Sequence, residues 1–148
     1  MGGSARGLVK RGLLTALVVL LLPAPLAFAQ SVPIEVLVVL ASREPSGGVD
    51  PAIQSLVREL QRDFAYTSYR LLETHRGQVS PGPPWQTAIA GGRDLRVALM
   101  RADQRRVELK ITTAGVNTRV GLLRGGSPIL LGGPPHQNGV LIIAISAR

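Results

Sequence analysis

The C-terminal third of the chain, residues 105–146, constrains the fold more than any other segment. Apolar and polar residues alternate through it, and glycine-rich turns interrupt the alternation. A side-chain period of two is typical of strands with one buried face. Glycine at both positions of a two-residue turn suits a tight hairpin, because glycine adopts positive φ without strain. Pattern and turn chemistry together predict a meander of antiparallel hairpins.

The alternation also predicts which residues face one another, because a sheet with one buried face must keep its apolar residues on that face. The predicted pairs are Leu99–Val107, Ile111–Val120 and Val120–Leu131, the last across a Gly125-Gly126 turn. The expected inward set is Leu95, Val97, Leu99, Val107, Leu109, Ile111, Val120, Leu122, Ile129 and Leu131. A slip of one residue would place Leu99 opposite Arg106, so the pattern favours this register over its neighbours.

Two other segments are apolar on both faces. Residues 32–41 and 140–147 contain continuous apolar runs instead of alternating ones. Such runs are typical of strands that are buried on both sides. We therefore expect these two segments to be adjacent central strands, and a further strand over residues 66–74, where aromatic and β-branched residues are frequent.

Residues 50–64 carry the signals of an amphipathic helix. Asp50 is suited to cap its start, and Pro51 at the first helical position loses no hydrogen bond there. The apolar positions recur with the period of a helix and form one stripe. They are Ile53, Leu56, Val57, Leu60 and Phe64. The predicted fold is therefore α+β, a largely antiparallel sheet covered by this one helix.

Residues 1–29 show the three regions of a secretory signal peptide in order. A basic start precedes an apolar run over residues 13–22, and Ala27-Phe28-Ala29 offers a cleavage site with small residues. The apolar run is about half of the roughly 20 residues that a membrane-spanning helix needs. We expect cleavage rather than retention as an anchor. This leaves one domain over residues 30–148, without a transmembrane segment, in the periplasm or secreted.

The chain is basic and lacks cysteine, with a formal net charge of +8. A cysteine-free exported chain is without disulfides, and this composition suggests a bacterial source. Four basic residues are expected on the outer side of the meander as binding residues: Arg96, Arg106, Lys110 and Arg119. They predict contact with an anionic envelope surface or an acidic envelope protein. Nucleic acid is not expected as a partner, because aromatic residues are not interleaved with the charges and export separates the chain from it.

Few residues have catalytic or metal-binding potential. The only histidines, His75 and His136, lie outside any cluster with metal-ligand spacing, so no metal or other cofactor is expected. No serine, histidine and acid form a recognisable catalytic pattern, and we predict no catalytic residue. The turn-forming segment 132–139 could present His136, Gln137 and Asn138 to a ligand, or it could simply link two strands.

Residues 117–133 resemble a hairpin of bacterial outer-membrane secretins. The shared features are an Asn-Thr start, an alternating strand, a glycine turn and the ending Ile-Leu-Leu-Gly-Gly. The secretin core is much longer than this chain. The resemblance therefore implies a periplasmic, envelope-associated module with a related hairpin, and it transfers no functional residue.

Three functions are compatible with these features. The first is a non-catalytic exported module that binds or helps to assemble another component of the cell envelope. The second is a small exported hydrolase with a site near His136. The third is a module that binds anionic lipid or another polyanion. A histidine within hydrogen-bond reach of a carboxylate and a hydroxyl in a cleft would favour the second, and one contiguous basic patch would favour the third.

Overall fold

The computed structural model describes residues 2–3 and 31–148, so the predicted signal peptide, residues 1–29, lies outside the described residues apart from Gly2 and Gly3. The strands are β1 (Val32–Ser42), β2 (Ser68–Val79), β3 (Trp85–Ile89), β4 (Arg93–Ala102), β5 (Arg106–Thr113), β6 (Val116–Leu123), β7 (Ile129–His136) and β8 (Gly139–Ala147). A 3-10 helix over Pro51–Leu56 continues into the helix α1, Val57–Asp63. No helix in the described part is long and apolar enough to span a membrane.

The strands form two four-stranded antiparallel sheets. Sheet A has the strand order β2-β1-β8-β7, and sheet B has the order β3-β4-β5-β6. Apolar residues from the facing sides of both sheets form one core, so the two sheets pack as a sandwich. Each strand of sheet B pairs with the next strand in sequence. The predicted α+β fold with a largely antiparallel sheet is confirmed, and sheet B is the meander.

β1 and β8 pair at the centre of sheet A and are buried on both faces, as their continuous apolar runs predict. Val38 and Ile143 lie opposite each other and face sheet B. Val39 and Ile142, the next pair, face the helical segment on the other side of sheet A. All four residues have 0% exposure, so the central pair of strands contributes to two separate apolar clusters.

The helical segment forms where the sequence predicts it. The carboxylate of Asp50 accepts a hydrogen bond from the backbone N–H of Ala52 at 3.0 Å, which satisfies one of the unpaired donors at a helix start. The buried hydroxyl of Tyr69 donates to the backbone oxygens of Phe64, at 2.8 Å, and of Leu60, at 3.2 Å. Tyr69 therefore ties the end of the helix to β2 as well as packing beneath it.

The β4–β5 hairpin forms, but its predicted register is wrong by two residues. Leu99 lies opposite Leu109 rather than Val107. An irregularity between Leu99 and Arg101 leaves Met100 without a partner, and this extra residue shifts the end of the strand. Because side chains alternate, a shift of two keeps the apolar residues on the inner face.

The β5–β6 hairpin is also shifted by two residues from its predicted register. Ile111 lies opposite Thr118, not Val120, and Leu109 takes Val120 as its partner. The connection is a tight turn at Ala114-Gly115, shorter than the turn that the predicted pair Ile111–Val120 implies. The shorter turn extends both strands and again preserves the inward face.

The third predicted hairpin, β6 with β7, does not form. β7 belongs to sheet A, where it pairs with β8, so Leu131 lies opposite Ile143 rather than Val120. Gly125, with φ of +70°, turns the chain, and its N–H donates to the backbone oxygen of Ala147 at 2.8 Å. Leu131 and Val120 still pack against one core, from opposite sheets. A period of two specifies the buried face of a strand but not the sheet that it joins.

The segment 132–139, expected to be a loop, is mostly strand. β7 continues to His136 and β8 begins at Gly139, so the turn consists of Gln137 and Asn138. The two prolines of the segment are tolerated because β7 is an edge strand, where a missing N–H need not be paired. Gln137 adopts φ of +49°, as the tight turn requires.

Candidate functional site

The outer face of sheet B carries five basic side chains, and we call it the basic face. Its basic residues are Arg96, Arg101, Arg106, Lys110 and Arg119. Each strand of this sheet alternates, with buried residues such as Val97 and Leu109 pointing into the core, so the charged residues between them point outward. Four of the five are the basic residues predicted to bind, and the fifth, Arg101, reaches the outer face because the irregularity between Leu99 and Arg101 shifts the end of β4.

Register brings these side chains into neighbouring positions. Lys110 lies directly opposite Arg119, and Arg101 lies opposite Glu108, which in turn lies opposite Gly121. Directly opposed residues have Cβ atoms about 4.5–5.5 Å apart, and diagonal neighbours are about 7–8 Å apart. The basic face is therefore a compact cluster of positive charge around one carboxylate.

The positive charges of the basic face are not neutralised by ion pairs. Among residues 31–148, no carboxylate oxygen lies within 4.0 Å of the five basic groups, whereas other cations of this part do form such pairs. Within residues 31–148, the acids on the strands of this face are Asp94 and Glu108, and Asp103 lies beside them in the β4–β5 turn. Like charges held together without partners cost stability, which is typical of surfaces that bind an oppositely charged ligand.

A shallow depression of about 340 Å³ opens in the basic face. Its polar lining consists of Arg101, Arg106, Arg119, Glu108 and Asp103, and Gly121 also lines it. Two large apolar side chains are exposed close to it, Leu123 at 58% and Met100 at 44%. The depression therefore combines three guanidinium groups, two carboxylates and an apolar margin.

The β4–β5 turn positions Arg106 at the edge of the depression. A carboxylate oxygen of Asp103 accepts hydrogen bonds from the backbone N–H groups of Arg105 and Arg106, both at 2.7 Å. These two bonds stabilise the charged carboxylate and lower the pKa of Asp103. Part of the negative charge of Asp103 is thus engaged by the backbone of the turn.

The other predicted site residues, His136, Gln137 and Asn138, form a separate group at the β7–β8 turn. The side-chain amide of Asn138 donates a hydrogen bond to the carboxylate of Glu44. Arg93 donates to the backbone oxygen of Pro135 at 2.9 Å, next to His136. Within residues 31–148, no hydrogen bond or ion pair connects this group to the basic face. The two halves of the predicted site are therefore not brought together.

A further polar cluster joins the two sheets at their β2 and β3 edges. His75 lies 2.7 Å from the carboxylate of Glu73 through its Nε2 atom, and its Nδ1 atom lies 3.4 Å from the hydroxyl of Thr87. The side chains of His75 and Glu73 are only 23% and 31% exposed. Glu73 and His75 share a face because they are two residues apart on β2, which continues to Val79, beyond the predicted end of that strand.

Comparisons of the chain with protein-family models, with curated proteins and with solved structures gave no match. The segment that resembles a secretin hairpin, residues 117–133, spans most of β6 and the first part of β7. The resemblance remains a prediction that these comparisons do not test.

Proposed function

We propose that this domain is a non-catalytic module of the cell envelope that binds an anionic lipid surface through its basic face. The observation that carries the proposal is the set of five basic side chains on one sheet face, without a carboxylate within 4.0 Å among the described residues. The predicted signal peptide supports the same location, because export would bring the domain to the lipid surfaces of the envelope.

The size of the expected attraction fits reversible attachment. Each Lys or Arg close to an anionic membrane contributes about 1 kcal/mol, so five of them offset by two acids give a net gain of about 3 kcal/mol. The exposed side chains of Leu123 and Met100 can add apolar burial at the lipid interface. Because most of this attraction is electrostatic, it should weaken strongly as salt is added.

The double substitution Arg96→Gln with Arg119→Gln should reduce binding to anionic vesicles by about tenfold to thirtyfold, since it removes two of the attractive charges. Glutamine keeps a long polar side chain on the strand, so the fold should be retained. Co-sedimentation of the purified protein with phosphatidylglycerol-containing vesicles, at low and at high salt, measures the effect.

The matched control is Arg58→Gln with Arg62→Gln, which removes the same charge from exposed positions on the helical segment. Vesicles of zwitterionic lipid measure the contribution of apolar contacts, including any from a signal peptide that remains attached. Equal losses from both double variants would show that net charge, not the basic face, drives binding. No sedimentation of the unmodified protein with anionic vesicles at low salt would refute the proposal.

A second function, hydrolysis of an ester or related acyl compound, is favoured by the series Glu73–His75–Thr87. In many hydrolases a carboxylate orients an imidazole, and the imidazole activates a hydroxyl as the nucleophile. Thr87 Oγ1 would bond to the acyl carbon while its proton passes to His75 Nδ1, and that proton would leave with the displaced group. Water would then repeat the step and release the acid. In this second proposal the hydrolase site lies at His75 rather than at the sequence-predicted His136.

If this second function is correct, Thr87→Val and His75→Gln should each lower hydrolysis of p-nitrophenyl acetate by at least about a hundredfold, the usual scale for a nucleophile or general base. Thr74→Val, on the opposite face of β2, is the matched control and should leave the rate unchanged. Covalent acetylation of Thr87 in a mass spectrum would identify the nucleophile. Equal rates for all variants would rule this function out.

A further inference from the structure

We infer that the depression over Gly121 is a binding site for a single phosphate group, through which the basic face selects phosphate-bearing partners. The inference rests on the proposed function of the basic face and specifies the group that it recognises.

Gly121 forms the open floor of this site. A Cβ atom at Gly121 would meet no other atom within 4 Å, so the missing side chain leaves free volume above the sheet. Gly121 is not among the glycines with positive φ, so its backbone does not require glycine. Glycine within a strand weakens the strand and often marks a point where a ligand approaches the backbone.

Three arginines surround this floor from three adjacent strands. Arg101 comes from β4, Arg106 from β5 and Arg119 from β6. Their side chains donate no hydrogen bond to another described residue, in contrast to the guanidinium groups of Arg76 and Arg93. Each guanidinium group offers five N–H donors in a planar fork that matches phosphate oxygens. The site therefore offers a phosphate group N–H donors from three guanidinium groups that have no other hydrogen-bond acceptor among the described residues.

Glu108 lies within this ring and sets its charge balance. It lies opposite Arg101, diagonal to Arg119, and two residues from both Arg106 and Lys110 on its own strand. Asp103 also lines the depression, so four cations and two carboxylates leave a surplus of about two positive charges at the cross-strand spacing of a sheet. A phosphate monoester carries about −1.5 to −2 charges at neutral pH, which this surplus can match without help from solvent ions.

The test uses inorganic phosphate as the probe and follows the backbone amide signals of the purified protein by NMR. We expect saturable shifts centred on Gly121 and Glu108, with chloride at equal ionic strength producing none of them. Gly121→Val should weaken phosphate binding by about tenfold or more by filling the floor, and Gly121→Ala should weaken it less. The control Ala88→Val adds two methyl groups elsewhere on the outer face of sheet B, one carbon fewer than Gly121→Val adds, and should bind like the unmodified protein.

Two further measurements separate a binding loss from a folding defect. Gly121→Val should melt at the same or a higher temperature than the unmodified protein, because valine favours strands and its Cβ atom meets free space here. Glu108→Gln should tighten phosphate binding about threefold to tenfold, since it removes a repulsive charge beside the ligand. Weaker phosphate binding by Glu108→Gln would overturn the inference. It would mean that the carboxylate binds a cation or holds the arginines in position.

The outcomes for the site and for the proposed function can be told apart. Vesicle binding that survives Gly121→Val, together with phosphate shifts that chloride reproduces, would overturn the phosphate site. The basic face would then attract anions only through its overall positive charge. Saturable phosphate binding without vesicle binding would support the site and overturn the lipid surface as the partner. Competition of inorganic phosphate with anionic vesicles would support both.

Discussion

Replacing Gly139 with alanine is expected to lower the free energy of unfolding by about 3 kcal/mol or more, at the upper end of overpacking substitutions. A Cβ atom on Gly139 would clash with the backbone oxygen and carbon of Ala41 and approach Ser42. The obstructing atoms belong to the backbone of β1, so no side chain can rotate away. Relief of this clash requires β8 to separate from β1 at the end of the sheet where Gly139 pairs with Ser42.

Gly48→Ala provides the matched control for this prediction. A Cβ atom on Gly48 would meet nothing within 4 Å, and Gly48 is not among the glycines with positive φ. We expect its stability to be unchanged or raised by up to about 1 kcal/mol, because alanine restricts the unfolded chain. Urea denaturation followed through the single tryptophan, Trp85, gives both values. A Gly139→Ala variant as stable as Gly48→Ala would show that β1 and β8 are not packed as closely as described.

Features that depend on neighbours in sequence could be predicted. The cap at Asp50 and the apolar stripe from Ile53 to Leu60 specify the helical segment, because both are local consequences of helix geometry. The continuous apolar run of β8 predicts burial on two faces, because the strand contains no charged residue. These predictions need no knowledge of where other strands lie.

Features that depend on distant parts of the chain could not be predicted. Leu131 has the same alternating pattern whether it pairs with Val120 or with Ile143, and both partners are apolar. A shift of two residues keeps every apolar side chain on the same face, so the register errors of the two hairpins are invisible to a pattern with a period of two. The sequence therefore predicts which face of a strand is buried more reliably than which residues that strand pairs with.

The residues of the candidate site also divide into those that local sequence predicts and those that only the folded arrangement brings together. Alternation alone places Arg96, Lys110 and Arg119 on one outer face, although the predicted register was wrong. The contact between His75 and Thr87 joins two sheets across twelve residues, and only the packing of those sheets creates it. The alternation of Glu73 and His75 on one face of β2 was the one local signal for that cluster.

The strongest test of the layered architecture is a pair of substitutions on β8, Ile142→Ala and Ile143→Ala. Each is expected to lower the free energy of unfolding by about 2–5 kcal/mol, the usual cost of removing a fully buried isoleucine side chain. Both residues have 0% exposure but lie in different apolar clusters. A domain of this size has about 5–15 kcal/mol of stability in total, so either change removes a large share of it.

The matched control is Ile129→Ala, which makes the same change on the edge strand β7, where the residue faces the same core as Ile143 but is only half-buried. Its cost should be smaller, because partial exposure reduces both the transfer free energy and the cavity left behind. A small effect for Ile142→Ala with a large one for Ile143→Ala would mean that the helical segment does not cover sheet A. The reverse would mean that the two sheets do not share a core. Large effects for both require that the neighbouring residues Ile142 and Ile143 are enclosed from opposite sides, which only the arrangement of helix, sheet A and sheet B provides.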